Sequence, residues 1–180
     1  MTGKPNRAVF LDRDGVIIED IGYCSAVDDV HILEGVPEAS RKLRKAGFRL
    51  LVATNQSGIA RGRLTVEGFF DITEHIAAQL AKQDAYLDAV YFCPHHEEHG
   101  EPPFGTECKC RKPHPGMLKR GISEWSLEHR ECWMVGDSPS DVQAALNAHV
   151  KPLAIGFEHD DAPSFGSLAE AANHILERVE

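Results

Sequence analysis

The run Ala8-Val9-Phe10-Leu11-Asp12-Arg13-Asp14-Gly15 limits what this chain can fold into more than any other stretch. Four apolar residues closed by a nearby glycine describe a buried strand. Two carboxylates stand at its C-terminal end, where open α/β sheets gather their chemistry. Residues two apart on an extended chain point the same way, so Asp12 and Asp14 can face one spot. Such a pair suits one carboxylate attacking, the other handling a proton, and a divalent cation offsetting their charge. Taken alone, the stretch fits a strand followed by a solvated polar turn equally well, and the rest of the chain decides.

Strand and helix patterns then alternate. Val16-Ile17-Ile18 leads into a loop or short hairpin, and Pro37 marks the start of a helix that runs to about Lys45 and ends at Gly47. Arg49 to Ala53 reads as a second strand running into Thr54-Asn55-Gln56-Ser57-Gly58. Thr65 caps a helix whose Phe69, Ile72, Ile76 and Leu80 make a core-facing stripe. Ala89 to Phe92 is a third strand, followed by an irregular stretch from Cys93 to Pro115. A helix over Met117 to Trp125 comes next, then a strand over Cys132 to Val135 that ends in Gly136-Asp137. Ser138 or Ser140 caps the following helix, Leu153 to Ile155 is a fifth strand, and a last helix covers about Leu168 to Arg178. Regular alternation of this kind predicts an α/β fold, a Rossmann-like parallel sheet with helices on both faces. No composition shift divides it, so residues 1–180 are expected to form one domain.

The long irregular stretch needs a reason to be ordered. Cys93-Pro94-His95 and Cys108-Lys109-Cys110 bracket twelve residues, and three of the five cysteines fall in this loop of about residues 93–110. Two ligand pairs give four N/S donors, which fill a tetrahedral zinc site and leave no open position, so the zinc is structural. It closes a loop with few apolar residues of its own. Free thiols with a surface histidine are the alternative, and His96, His99 and His114 compete as ligands. His95 is preferred because its alternation with Cys93 mirrors the Cys108/Cys110 pair. Cys24 and Cys132 read as buried thiols.

The polar strand ends now form a set. Asp12 suits the nucleophile, and Asp14 the acid that protonates the leaving oxygen and then the base that activates water. Thr54, Asn55, Gln56 and Ser57 supply hydroxyl and amide donors for a phosphoryl group, and Lys112 offsets transition-state charge. Asp137 completes a Mg2+ site with Asp12, since hard oxygen ligands suit that ion. A net charge of −9, from 28 acidic and 19 basic residues, argues against a polyanion partner such as nucleic acid. No apolar run is long enough to span a bilayer, and the polar lead-in Met1 to Arg7 does not read as a signal peptide. The expected location is cytoplasmic, with the chain acting as a monomer.

The set resembles the haloacid-dehalogenase superfamily of aspartate-nucleophile phosphatases. Phe10 to Gly15 is similar to its first motif, Thr54 to Gly62 to the second, Cys110 to Met117 to the third and Gly136 to Asp141 to the fourth. Within it, the zinc loop and long second motif resemble the branch that acts on heptose bisphosphates and the sister branch that acts on histidinol phosphate. The resemblance implies a metal-dependent phosphatase that works through an aspartyl-phosphate and removes the 7-phosphate of D-glycero-D-manno-heptose 1,7-bisphosphate. Histidinol phosphate is the alternative substrate, and a non-catalytic zinc-stabilised binding domain the alternative of another kind. It further implies that Asp14 gives Mg2+ its main-chain carbonyl, that Asp20, Gly22 and Tyr23 lie along the substrate, and that Arg111 contributes to substrate recognition. No large cap domain is expected, since 38 residues separate Gly15 from Thr54. Three positions depart from the pattern. Ser138 stands where Lys or Arg is usual, leaving more of the phosphate charge to Arg111 and Lys112. Ile18 stands where Asn is common, and His149 replaces a helix-ending glycine, a position His tolerates through the left-handed conformation.

Overall fold

The strands are β1 (Arg7–Leu11), β2 (Phe48–Asn55), β3 (Ala89–Cys93), β4 (Trp133–Gly136), β5 (Lys151–Ile155) and β6 (Ser164–Phe165) in a computed structural model describing residues 6–178. The helices are α1 (Val36–Lys45), α2 (Val66–Ala81), α3 (Gly116–Glu124), α4 (Pro139–Ala148) and α5 (Leu168–Leu176). Most of the polar lead-in, Met1 to Pro5, lies outside the described residues.

All pairings in the sheet are parallel, in the order β3-β2-β1-β4-β5-β6. Parallel strands buried on both faces carry apolar residues at every position. In β1, Val9 and Leu11 pack with Leu50, Val52, Val135 and Leu153 on one face, while Ala8 and Phe10 pack with Leu51 and Met134 on the other. Helices α1, α2 and α5 cover the first face through Leu43, Phe69, Ile72, Ile76, Leu80 and Ile175. Helices α3 and α4 cover the second through Leu118, Ile122, Ala145 and Ala148.

Helix ends follow their residue chemistry. Thr65 Oγ1 accepts a hydrogen bond from the Gly68 N–H at the start of α2. Pro37 lies in the first turn of α1. His149 ends α4 with φ 58° and ψ 37°, the left-handed conformation expected of it. Ser138 takes the position before α4, and its hydroxyl donates to Asp141 Oδ2 at 2.7 Å. Ile18 is fully buried, tied to Arg13 O through its N–H.

Several element boundaries differ from expectation; β5, for one, begins at Lys151 rather than Leu153. A sixth strand, β6, pairs with β5; at two residues it is too short to show a period in sequence. β2 runs on through Asn55 because Thr54 and Asn55 pair with Phe92 and Cys93 of β3, so these polar residues belong to the strand itself. Cys132 sits one residue before β4. Between β1 and β2 the chain forms only a 3-10 turn at Val27–Asp29 and α1, so no cap domain is inserted there. Among the described residues no helix is long and apolar enough to cross a membrane.

The chain runs from β1 outward to β3, then returns to lay β4 on the other side of β1. The C-terminal ends of β1 and β4 therefore flank the point where the strand order reverses, which opens a crevice at that edge.

Candidate active site

Asp12 follows β1 directly. Its N–H donates to Val135 O of β4 at 2.9 Å, fixing the residue across the reversal point. Its Oδ1 accepts the Arg13 N–H at 2.7 Å, and its Oδ2 pairs with Lys112 Nζ at 2.9 Å. Lys112 is only 2% exposed. Its ammonium also pairs with Asp141 Oδ1 at 2.5 Å and donates a hydrogen bond to Ala53 O of β2 at 2.8 Å. Burial alone would lower this ammonium's pKa, but the Asp12 and Asp141 charges outweigh it and hold the pKa above its ordinary value. Burial pushes Asp12 up to about 7; Lys112 opposes the rise and Asp141 adds to it.

Asp137 follows β4 on the other side of the crevice. Its carboxylate lies against Gly15, where a β-carbon would overlap it and where φ is +72°. Only glycine meets both conditions at that position. Asp12, Asp137 and Asp141 each offer a carboxylate oxygen within 4.8 Å of the others. Burial first, then Asp141 and Asp20, raises Asp137 to about 6. Three crowded carboxylates with one ammonium between them make a cluster of hard oxygen donors that a divalent cation fits.

Asp14 is not part of that triad. Its carboxylate turns the other way, toward Arg13 Nε and Nη2 and toward Gln56, whose Nε2 donates to Oδ2 at 3.0 Å. Gln56 Nε2 also donates to Thr54 Oγ1 at 2.9 Å. Asn55 differs from its neighbours: both ends of its amide bond the Lys112 main chain at 3.0 Å, latching the loop that carries the lysine. Asp14, Gly22, Tyr23, Gln56 and Ser57 meet along one narrow cleft of about 60 Å³. Asp20 is exposed and accepts the Gly22 N–H at 2.8 Å. Tyr23 is exposed, with the Arg63 guanidinium 4.8 Å from its ring centre. Arg111 lines a separate, wider groove of about 540 Å³ together with Lys112, Glu97 and His114.

The cysteine loop brings its four expected donors together. Cys93 Sγ lies 3.5 Å from Cys108 Sγ and 3.2 Å from Cys110 Sγ, and His95 Nδ1 lies 3.4 Å from Cys110 Sγ. All four atoms fall within 4.8 Å of one another. A tetrahedral centre with metal–sulfur bonds of about 2.3 Å needs sulfur separations of roughly 3.7 Å, close to what this loop presents. The hydrogen bond with Cys93 draws the Cys110 thiol down to about 5 against the effect of burial. Of the competing histidines, His96 groups instead with Glu98 and His99, and its Nε2 lies 3.2 Å from Arg61 Nη2.

Two residues of this centre carry no visible role in the sequence. Asp141 closes the fourth motif, and only folding shows it to be fully buried against Lys112. The one available signal is its place three residues after Ser138 at a helix start, where a carboxylate accepts the Ser138 N–H at 3.0 Å. Arg13 reads as a spacer between two aspartates, yet it is 3% exposed and grips one of them.

Comparison with known proteins shows what the chain as a whole is similar to. A family model described as haloacid dehalogenase-like hydrolase matches residues 7–149. The chain is 44% identical over 174 residues to a D-glycero-beta-D-manno-heptose-1,7-bisphosphate 7-phosphatase of Haemophilus influenzae, covering 97% of this chain and 93% of the relative. It is 46% identical over 143 residues to the protein of the same name from Escherichia coli, covering 79% and 75%. Among solved structures, it resembles the D,D-heptose 1,7-bisphosphate phosphatase of B. bronchiseptica, complexed with magnesium and phosphate. The TM-score is 0.83, at 29% identity over 96% of this chain and 99% of that one. A HAD-like phosphatase from Mesorhizobium loti gives a TM-score of 0.88 at 28% identity over 100% and 90%.

Proposed function

The chain belongs to the haloacid dehalogenase-like hydrolases, and from that premise we propose that it removes the 7-phosphate of D-glycero-D-manno-heptose 1,7-bisphosphate through a phosphoryl group held on Asp12. The observation that carries this reading is the buried Lys112 ammonium, shared between Asp12 Oδ2 and Asp141 Oδ1. It keeps a carboxylate oriented at the C-terminal end of the central strand and offers positive charge where phosphoryl oxygens gather. The names of the relatives support the heptose substrate and, in particular, its β anomer.

In the first half-reaction Asp12 attacks phosphorus, the bond from phosphorus to the sugar oxygen breaks, and Asp14 gives that oxygen its proton. In the second, Asp14 takes a proton from water, the water oxygen attacks phosphorus, and the bond to Asp12 breaks to release phosphate. Thr54, Gln56 and Ser57 supply donors to the phosphoryl oxygens, and Asn55 acts by holding Lys112 in register. Asp20, Gly22 and Tyr23 lie along the sugar, and Arg111 recognises it from the neighbouring groove. Asp12, Asp137 and the Asp14 main-chain carbonyl hold Mg2+, which lowers the charge repulsion between nucleophile and phosphate when bound. The chain acts as one domain and a monomer in the cytoplasm, on a small molecule rather than on nucleic acid or a membrane. Turnover measured side by side tests the substrate: the β-heptose bisphosphate is expected to exceed the α anomer and histidinol phosphate. A preference for histidinol phosphate overturns the choice.

Two expectations concern the metals. Cys93, His95, Cys108 and Cys110 hold one structural zinc, so elemental analysis of purified protein should find about one zinc per chain. Protein that is folded and active without zinc contradicts this assignment. For Mg2+, the raised carboxyls of Asp12 (about 7) and Asp137 (about 6) mean that the metal-free protein keeps protons that the unfolded chain, at an ordinary 3.8, has released. Its stability therefore falls as pH rises from about 4 to about 7. Mg2+ displaces those protons, so its affinity should weaken as pH drops from 8 to 6. Calorimetric titration in two buffers of different ionisation enthalpy reads the proton release directly; a pH-independent affinity with none released would contradict it.

A further inference from the structure

Arg13 lies between the two catalytic aspartates in sequence, and its side chain is buried. Its Nη2 donates to Asp14 Oδ1 at 2.8 Å, and its Nε lies 3.2 Å from Oδ1 and 3.1 Å from Oδ2. The remaining nitrogen, Nη1, is buried and has no hydrogen-bond partner among the described residues. The guanidinium carbon stands 5.9 Å from the centre of the Phe69 ring. Burying a guanidinium with one donor unpaired is costly, and a purely supporting residue would do better as an apolar side chain. The main chain around it is equally fixed: Arg13 O accepts the N–H groups of Ile17 and Ile18 at 2.9 and 3.0 Å. The result is a planar fork with no freedom to follow its partner.

We propose that Arg13 is the positioning residue for Asp14: its fork sets the plane of the carboxylate and leaves Oδ2 as the oxygen that carries the proton. Oδ1 is committed to Arg13 alone. Oδ2 is shared with the Gln56 amide, a neutral donor on a side chain that has a second acceptor in Thr54 Oγ1. Gln56 can therefore release Oδ2 to a proton and keep a hydrogen bond, whereas Arg13 has nothing else to bind. In the form seen, every group around the carboxylate is a donor, which suits the ionised base that takes a proton from water. In the acid form the proton takes the place of Gln56 on Oδ2, and the plane stays where Arg13 holds it. The inference rests on the phosphatase reading above, since it assigns a geometry to that reading's acid and base.

Leaving-group dependence separates positioning from mere support. An alkyl monophosphate needs Asp14 to protonate its leaving oxygen, whereas p-nitrophenyl phosphate does not. In single-turnover experiments with Mg2+, Arg13→Met is expected to slow phosphoryl transfer from the alkyl ester by roughly 100-fold, while the p-nitrophenolate burst stays within about threefold. Arg13→Lys, which keeps the charge but not the fork, should recover part of the alkyl-ester rate. Parallel losses on the two substrates, or no loss on either, overturn the proposal. If Arg13→Met does not fold, the Lys variant carries the same comparison, unequal losses supporting the proposal and equal losses overturning it. Failure of the phosphatase reading shows separately, as absence of turnover of both esters by the unaltered protein.

Discussion

Asp12→Asn is expected to reduce turnover by on the order of 10⁵-fold while leaving the fold intact. An amide at this position has neither the charge nor the free lone pair to attack phosphorus, and no other described carboxylate replaces it. Asp14 faces Arg13 and Gln56, and Asp141 is fully buried against Lys112 and Ser138. Stability should hold or rise, because the substitution removes a carboxylate that burial already forces up to about 7. Lys112 keeps Asp141 and the Ala53 carbonyl as partners. Kinetics at saturating Mg2+, together with thermal melting, check both halves. Activity within about tenfold of the parent would defeat the covalent mechanism.

Lys112→Met should have the largest effect on stability. Breaking a buried ion pair by removing one member costs about 3–5 kcal/mol, because the other charge is left without a partner. Here two carboxylates lose their cation at once, and one of them, Asp141, is fully buried. Turnover should fall by about 10²–10³-fold as well, since the phosphoryl group loses its neighbouring ammonium. The stability loss should shrink below pH 6, where protonation of Asp12 removes one of the stranded charges. Adding Asp141→Asn to the variant should recover part of the loss, giving a coupling that denaturant melts of the four proteins can measure. Purely additive effects would mean that Lys112 and Asp141 act independently.

The parts of this centre that are legible in sequence are those set by local pattern. β1, β2 and β4 are buried on both faces, so each reads as an apolar run, and the switch to polar residues marks where it ends. The metal loop is legible because Cys93/His95 and Cys108/Cys110 repeat one alternation across a stretch with little else to order it. What is not legible depends on distance. Asn55 bonds the main chain of a residue 57 positions away, so nothing local distinguishes this latch from a substrate donor. Asp141 gains its role from Lys112, which reaches it only because β1, β2 and β4 are adjacent. Arg13 is hidden for another reason. Its partner is the next residue, and strand alternation predicts that the two side chains diverge. They converge because the chain leaves β1 at Asp12 and turns at Gly15, with Gly15 N–H bonded to Ile18 O at 2.8 Å.

The most direct measurement is acid quenching during turnover of the β-heptose 1,7-bisphosphate, with the protein mapped by peptide mass spectrometry and the sugar product identified by phosphorus NMR. The account predicts one phosphoryl group on the peptide that contains Asp12, and a sugar that has lost its 7-phosphate and kept its 1-phosphate. A phosphoryl group on another residue, or a product that has lost the 1-phosphate, would contradict it.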